Sequence, residues 1–326
     1  MGCRICCAVE AAGIVHVRYA EKPGRSARPV TRNAATALGG ISCVVLAGAC
    51  FAALDTTTKY VAQSVPVLMA LWVRYMLQAL LSTAILAPLH GRVLFRTAQP
   101  KLQLLRGVLL MTTTTLAFFA LRFMPVGEFT AIVMVAPLLI TVLVVTVFKE
   151  RIAPLHWLFV LGGFAGTLLI VRPGGDFGLG AVLPLACMLV NTAFQLLSSH
   201  LGKSESPATT HFYSVWTGAI LSTLTLPLAW AVIDSPVLWL LMVFMGIMGA
   251  LGHFLLAQAY QHAPAAVLMP YLYCHVGFAV IGGWLVFAHV PDAWACGGIG
   301  LIAVSGASSA WLTARKTRAP VGLPKY

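Results

Sequence analysis

Charged side chains occur inside long apolar stretches of this sequence. Asp55 and Lys59 are four residues apart, so they share one face if their segment is helical. Arg74 lies in the next apolar stretch. An Asp or Arg near the centre of a bilayer costs roughly 2.5–3.5 kcal/mol on insertion scales, so such residues usually pair or face a wet cavity. We therefore expect an intramembrane Asp55–Arg74 ion pair. It either packs two helices together or gives Asp55 a role with a substrate or a proton.

A second group of polar residues lies later in the chain and is neutral or titratable. Tyr271, Tyr273 and His275 share one apolar stretch, and His253 lies in the preceding one. Aromatic rings, amides and histidine suit a flat or zwitterionic solute, and histidine can carry a proton near neutral pH. Alternatively, each histidine is a core residue bonded to a neighbouring carbonyl or hydroxyl. The candidate substrate or coupling residues are Asp55, Arg74, Tyr75, Gln195, His253, Tyr271, Tyr273 and His275.

Three further charges are candidates for a gate or an ion pair: Lys59, Arg122 and Glu128. Arg122 and Glu128 flank a short turn that contains Pro125, so they form either a surface salt bridge or an outer gate that opens in one access state. The sequence holds no His-Glu-x-x-His and no Gly-x-Ser-x-Gly. We expect no catalytic residue, metal or cofactor, and we predict that the protein is not an enzyme. An intramembrane enzyme or a channel is the alternative.

The elements that position these residues are membrane spans. Of the 326 residues, 60% are hydrophobic and 9% are charged, with a mean hydropathy of +0.90. A soluble domain has about 25% charged residues, so this chain has too little polar surface to cover a globule. Apolar runs between Pro, Gly and charged residues predict ten transmembrane helices. They cover about 38–60, 67–88, 103–122, 127–148, 154–171, 178–200, 211–233, 237–259, 265–288 and 293–314.

The basic residues are distributed asymmetrically about these spans. The net charge is +12, and 17 of the 21 Lys and Arg fall on the side of the N-terminal arm when the spans alternate. Basic clusters beside spans indicate the cytoplasmic side and not a nucleic-acid surface, so no nucleic-acid partner is expected. We predict a bacterial inner (plasma) membrane protein, multi-pass, with both termini cytoplasmic. Residues 1–35 form a basic, disordered cytosolic arm and residues 315–326 a cytosolic basic tail.

The region between the tails contains an internal repeat. The segment Ala120–Pro125 is similar to Ala259–Pro264, and their prolines are 139 residues apart. Each half has five spans, an odd number, so the second half enters the membrane from the opposite face. We predict an all-α membrane protein built from two inverted five-helix repeats, residues 36–173 and 177–314. Inverted repeats are typical of transporters that expose a central site alternately to the two sides.

Six short segments together resemble the drug/metabolite transporter superfamily in its paired EamA-domain form. They are Trp72-Val-Arg-Tyr75, Leu104-Leu-Arg-Gly107, Ala120-Leu-Arg-Phe-Met-Pro125, Lys149-Glu-Arg151, Leu168-Leu-Ile-Val-Arg-Pro173 and Pro291-Asp-Ala-Trp294. The resemblance covers about residues 36–314. It differs at Ala288-His289, where the family often has Gly-Glu. It implies a ten-helix bundle that carries metabolites, often by proton coupling or exchange.

These observations predict a secondary transporter for a small polar metabolite that is amino-acid-like, nucleoside-like or vitamin-like. Its partners are the small-molecule solute and the lipid bilayer, and the sequence is compatible with a homodimer. The predicted first half carries most of the buried charge, and the second most of the aromatic and histidine residues. We therefore expect coupling in the first half and solute recognition in the second.

Overall fold

The computed structural model describes residues 34–148, 154–171, 179–202, 204–262, 268 and 271–318. Most of the predicted arm (1–35), and residues 319–326 of the predicted tail, lie outside the described residues. Within the described ranges the chain is helical and contains no strand. This agrees with the predicted all-α class.

The helices follow the apolar runs of the sequence. In chain order they are α1 Ala34–Val61, α2 Val67–His90, α3 Pro100–Phe123, α4 Val126–Val133, α5 Ala136–Phe148, α6 Pro154–Val171, α7 Leu179–Leu201, α8 Pro207–Thr225, α9 Pro236–His262, α10 Cys274–Phe287 and α11 Ala293–Arg318. Short 3₁₀ segments, Gly91–Phe95 and Leu226–Leu228, follow α2 and α8.

Three predicted spans differ clearly from the observed helices. In the span predicted at 265–288, Tyr273 interrupts the helix and α10 begins at Cys274. The span predicted at 211–233 ends as an α-helix at Thr225, and Pro227 lies in the following 3₁₀ segment. Proline has no N–H to continue the α-helical ladder, and it disfavours the helical conformation of the residue before it. The span predicted at 127–148 is divided into α4 and α5 at residues 134 and 135.

Large apolar side chains are exposed along the outside of the helices. Leu46 on α1 is 55% exposed, Leu161 on α6 64% and Leu285 on α10 69%. Among the described residues, four helical stretches are long and apolar enough to cross a membrane: Leu38–Val61, Val67–Phe95, Pro100–Phe123 and Pro236–Leu256. Five further apolar helices are shorter. An apolar exterior of this extent requires lipid as its solvent, which supports a multi-pass membrane protein.

The division between α4 and α5 has a specific hydrogen-bonding cause. Pro137 cannot donate to the carbonyl of Val133, and the N–H of Leu138 donates to Val135 instead of Met134. The carbonyl of Met134 is therefore left free by its own helix. The hydroxyl of Tyr273 donates to this carbonyl at 3.1 Å. Tyr273 itself lies in a one-residue turn before α10, and it is 139 residues from Met134.

Glycines let α6 and α11 approach each other closely. A Cβ on Gly298 would lie 2.6 Å from the carbonyl oxygen of Gly166 and 2.7 Å from Cγ1 of Ile170. A Cβ on Gly166 would in turn lie 2.7 Å from the carbonyl oxygen of Gly298. Close backbone contact through small residues is the usual way in which helices associate in a membrane.

This contact generates a stability prediction with a control on the same helix. Gly298→Ala should destabilise the protein by about 1–3 kcal/mol, because the added methyl group meets backbone that cannot move aside. Gly300→Ala should be neutral or stabilising, because a Cβ there meets nothing within 4 Å and alanine favours helix. Detergent-titrated unfolding of both variants tests this, and equal stabilities would contradict the observed packing.

Candidate functional site

The carboxylate of Asp55 and the imidazole of His275 face each other in the interior. Oδ2 of Asp55 is 3.2 Å from Nε2 of His275, and their side chains are 19% and 8% exposed. The hydroxyl of Thr130 is 3.5 Å from the same Asp55 oxygen, a long hydrogen bond. Neither ring nitrogen of His275 is aligned for a hydrogen bond with a described residue, although Nε2 is at ion-pair distance. The contact is therefore an ion-pair approach without an aligned hydrogen bond.

Helices α1, α4 and α10 position this pair. Gly48 on α1 brings the helix against the start of α10, where a Cβ would lie 3.4 Å from the backbone nitrogen of His275. Gly127 on α4 lies against Val280 of α10 in the same way. Asp55 belongs to the predicted first half and His275 to the second. The site thus combines residues that we expected to serve separately in coupling and recognition.

The ion pair expected between Asp55 and Arg74 is not formed. Asp55 and Arg74 are within electrostatic range of each other, but no carboxylate of a described residue lies within 4.0 Å of the Arg74 guanidinium. The expectation rested on both charges lying inside neighbouring apolar stretches, and this does not determine which face of a helix a side chain occupies. His275, which comes from α10, takes the place of Arg74 beside the carboxylate.

A row of rings leads from His275 to a cavity. The ring of Phe51 lies 5.9 Å from that of His275 and 5.1 Å from that of His253, and His253 lies 5.7 Å from His211. His253 and His211 line a cavity of about 640 Å³ between α2, α8 and α9, together with Ser82. Nε2 of His211 is 2.9 Å from the Ser82 hydroxyl. A cavity of this volume is in the range of small-molecule sites.

Of the other predicted candidates, two are buried in helix packing and two are exposed or half-buried. Tyr75 is 1% exposed, with its hydroxyl 2.9 Å from that of Thr114, so it packs between helices. Tyr273 is 7% exposed and bonds the free carbonyl described above. Tyr271 is 43% exposed, and Gln195 is half-buried on α7. The two buried tyrosines therefore have structural contacts that the sequence did not predict.

The salt bridge expected between Arg122 and Glu128 is also not formed. Arg122 is exposed at the end of α3, whereas Glu128 Oε1 is 3.3 Å from Nε2 of His289, which follows α10. The ammonium group of Lys59 donates to the carbonyls of Leu121 and Met124 at 3.0 and 2.8 Å. Lys59 thereby satisfies carbonyls at the C-terminal end of α3, where a helix favours a cation.

Sequence reasoning missed several residues near the site. Arg106 on α3 donates through Nε to Ser198 at 2.8 Å and through Nη1 to the carbonyl of Thr210 and the hydroxyl of Ser214. Its guanidinium lies 4.6 Å from the ring centre of Phe194. A charged residue within an apolar run was the available signal. Phe51 gave no such signal. His211, an ionisable residue in a predicted span, and His289, where the sequence departs from the family pattern, did carry one. No group of three metal-ligating side chains occurs among the described residues.

The described residues define a multi-span helical membrane protein with ionisable groups in its interior. Residues 38–172 match the EamA-like transporter family. The riboflavin transporter of Vibrio cholerae is 27% identical over 288 residues, which are 86% of this chain and 96% of the relative. An S-adenosylmethionine uptake transporter of Rickettsia conorii is 26% identical, over 79% of this chain and 87% of the relative. A pseudopaline exporter of Pseudomonas aeruginosa is 24% identical, over 82% and 94%.

A solved crystal structure has the same fold. It superimposes with a TM-score of 0.60 and 21% identity, over 87% of this chain and 99% of that chain. The match of residues 38–172 and the named relatives agree with the family resemblance noted in the sequence. The chain therefore contains an EamA-like segment and is similar to transporters of the drug/metabolite transporter superfamily. Its named relatives are transporters and not enzymes.

The Asp55–His275 contact can be measured by a double-mutant cycle. Asp55→Asn and His275→Gln each remove one partner, and contacting residues show interaction energies of about 0.5–3 kcal/mol. We expect a value in that range for the free energy of unfolding in mixed micelles. The control combines His275→Gln with Asp234→Asn, an exposed position, and should be additive. Additivity of the Asp55 and His275 changes would show that the two residues do not interact.

Proposed function

We propose that this protein is a secondary transporter that moves a small polar metabolite across the bacterial inner membrane by alternating access. The observation that carries the proposal is the Asp55–His275 pair, buried where α1 meets α10. Ionisable residues inside a membrane bundle are costly, and Asp and His characteristically serve there as solute ligands or proton relays. We assign the pair the role of binding the solute or of coupling its movement to protons.

The architecture proposed is two inverted five-helix halves with both termini cytoplasmic. Its support is the interruption of the helical backbone at Met134 and at Tyr273, which are related by the same 139 residues as the repeated prolines. Transporters with inverted repeats place their sites at discontinuous helices near the bilayer midplane. Thr130 of α4 and His275 of α10 lie close to these interruptions and contact the same carboxylate.

The solute class follows from the rings and from the relatives. Phe51, His253 and His211 form a row of flat side chains beside a cavity of about 640 Å³. Such rings suit a planar polar group through stacking and hydrogen bonds. The relatives are named for riboflavin, S-adenosylmethionine and pseudopaline. Riboflavin, which is uncharged, and S-adenosylmethionine, which carries a carboxylate, are therefore the first solutes to test.

An outer gate, which was one of the two alternatives for Arg122 and Glu128, is proposed instead for Glu128 and His289. These two residues belong to different predicted halves and lie 3.3 Å apart, so separation of the halves at this end must break their contact. Lys59 contacts only carbonyls of the first half through its hydrogen bonds, and Phe287 lies 5.4 Å from its ammonium group. Lys59 would therefore hold α1 to α3 while the gate opens.

Transport by purified protein tests the function. Proteoliposomes that contain the wild-type protein should take up labelled riboflavin in exchange for internal riboflavin, above protein-free liposomes. Asp55→Asn should keep this exchange but lose uptake driven by a proton gradient, because an amide cannot release a proton. Asp234→Asn is the control and should retain both. Unchanged gradient-driven uptake in Asp55→Asn would overturn the coupling role.

Cysteine labelling tests the orientation. In a variant whose eight cysteines are replaced by serine, Arg122→Cys should react with an impermeant maleimide from outside intact cells. His262→Cys should react only after the membrane is opened. Both positions are exposed, so the difference reports the side of the membrane and not burial. Labelling of His262→Cys in intact cells would contradict the inverted arrangement.

A further inference from the structure

Arg74 is a buried cation that has no hydrogen-bond acceptor and no salt-bridge carboxylate among the described residues. It is 9% exposed, and its Nε is buried without a hydrogen-bonded partner. Asp55 is within electrostatic range, but its carboxylate lies against His275 at 3.2 Å. Removing a charge from water costs several kcal/mol unless hydrogen bonds and an opposite charge compensate for it. Among the described residues, no hydrogen bond or salt bridge supplies that compensation.

Gln78 lies one helical turn from Arg74 on the same face of α2. It is 1% exposed, and its Nε2 is also buried without a hydrogen-bonded partner. Both side chains lie against Gly249 of α9, where the amide of Gln78 occupies the space of a Cβ. Nε of Arg74 would lie 3.7 Å from the same Cβ position. Two unsatisfied donors therefore meet at one glycine, where the facing helix has no side chain.

The face that carries these donors continues to the cavity. Ser82 is the next residue on the same face, one further turn from Gln78, and it lines the cavity with His211 and His253. At 1.5 Å per residue, Arg74 lies about 12 Å beyond Ser82 along α2. Residues 74, 78 and 82 are all buried, so this polar stripe runs through the interior and not along the lipid surface.

We propose that Arg74 and Gln78 bind an anionic acceptor group of the transported solute, a carboxylate in the first instance. Both unsatisfied atoms are donors, so their ligand must be an acceptor, and the guanidinium charge selects an anion. A planar carboxylate matches the fork of an arginine, and hydrogen bonds between charged groups are the stronger kind. This inference rests on the proposed transport function and adds the chemistry of the solute to it.

Benzoate and benzamide are matched probes for this site, because both have the same flat ring and only benzoate carries a carboxylate. Benzoate should raise the melting temperature of the purified wild-type protein in lipid-free detergent, and benzamide should not, since a ligand stabilises the state that binds it. Arg74→Gln should bind benzoate at least about tenfold more weakly, because losing a hydrogen bond between charged groups weakens binding by at least that factor. Arg92→Gln removes an exposed charge and should bind as the wild type does.

Two further variants keep the test independent of folding. Arg74→Lys keeps the charge without the fork and should bind benzoate with an affinity between those of the wild type and Arg74→Gln. Gln78→Leu should weaken benzoate binding while keeping the charge. Equal stabilisation by benzoate in the wild type and in Arg74→Gln, or equal stabilisation by benzoate and benzamide, would overturn the proposal.

Three outcomes separate this proposal from others. Stabilisation that depends on Arg74 but is produced by phosphatidylglycerol micelles, and not by benzoate, would assign the site to a lipid headgroup and overturn the solute assignment. If wild-type proteoliposomes exchange riboflavin but the protein does not bind benzoate, the transport function stands and only the anion site is overturned. Absence of riboflavin exchange together with benzoate binding would instead count against riboflavin as the solute and support the anion site.

Discussion

The hydrogen bond from the hydroxyl of Tyr273 to the carbonyl of Met134 is the contact on which the interior depends. In a bilayer every backbone polar group needs a partner inside the protein, and Pro137 disrupts the ladder that would supply one. Tyr273, which immediately precedes α10, supplies the donor. Its hydrogen bond therefore joins the start of α10 to the break between α4 and α5. His275 lies two residues beyond Tyr273, and Thr130 lies one turn before Met134. The same contact thus determines where these two side chains meet Asp55.

The polar groups of the interior differ in how completely they are satisfied, and this difference separates structural from functional candidates. Tyr75, Tyr273 and Lys59 have short contacts to a hydroxyl or to carbonyls, so they contribute to stability. His275 and Arg74 are also buried but lack aligned hydrogen-bond partners among the described residues. Unsatisfied donors are expensive in a low-dielectric interior, so a fold retains them where another group completes them during function.

The sequence predicted most of the fold, because apolar length and turn residues act locally. The bounds of α2, α3 and α6 lie within three residues of the predicted spans. Pro227 was expected inside the span 211–233 and instead lies beyond the end of α8, since proline cannot continue the helical hydrogen-bond ladder. Met134 and Tyr273 are separated by the same 139 residues as the repeated prolines. This spacing could be read from the sequence, but it does not show that the Tyr273 hydroxyl bonds the Met134 carbonyl.

The candidate site was less predictable, because ion pairs depend on which helix faces approach. Asp55 was predicted to pair with Arg74, and Arg122 with Glu128, in each case with a partner close in sequence. The observed partners, His275 and His289, come from α10 and the segment after it, more than 150 residues away. Short loops bring neighbours together at one end of a bundle, but the fold also brings α10 beside α1 and α4. That proximity is a property of the whole fold and not of any local segment.

Contacts lie at both ends of α3, and they bear on the alternating access that we propose. At its C-terminal end, Glu128 and His289 join the predicted halves at 3.3 Å. At its N-terminal end, Glu205 accepts hydrogen bonds from the hydroxyl of Thr97 and from two backbone N–H groups, at 2.7–3.2 Å. The ends are about 36 Å apart along a helix of 24 residues, roughly a bilayer thickness. Alternating access requires that these contacts are not all broken together. The pair Asp55–His275 joins the halves between them, so a proton or solute that separates this pair weakens the connection common to both ends.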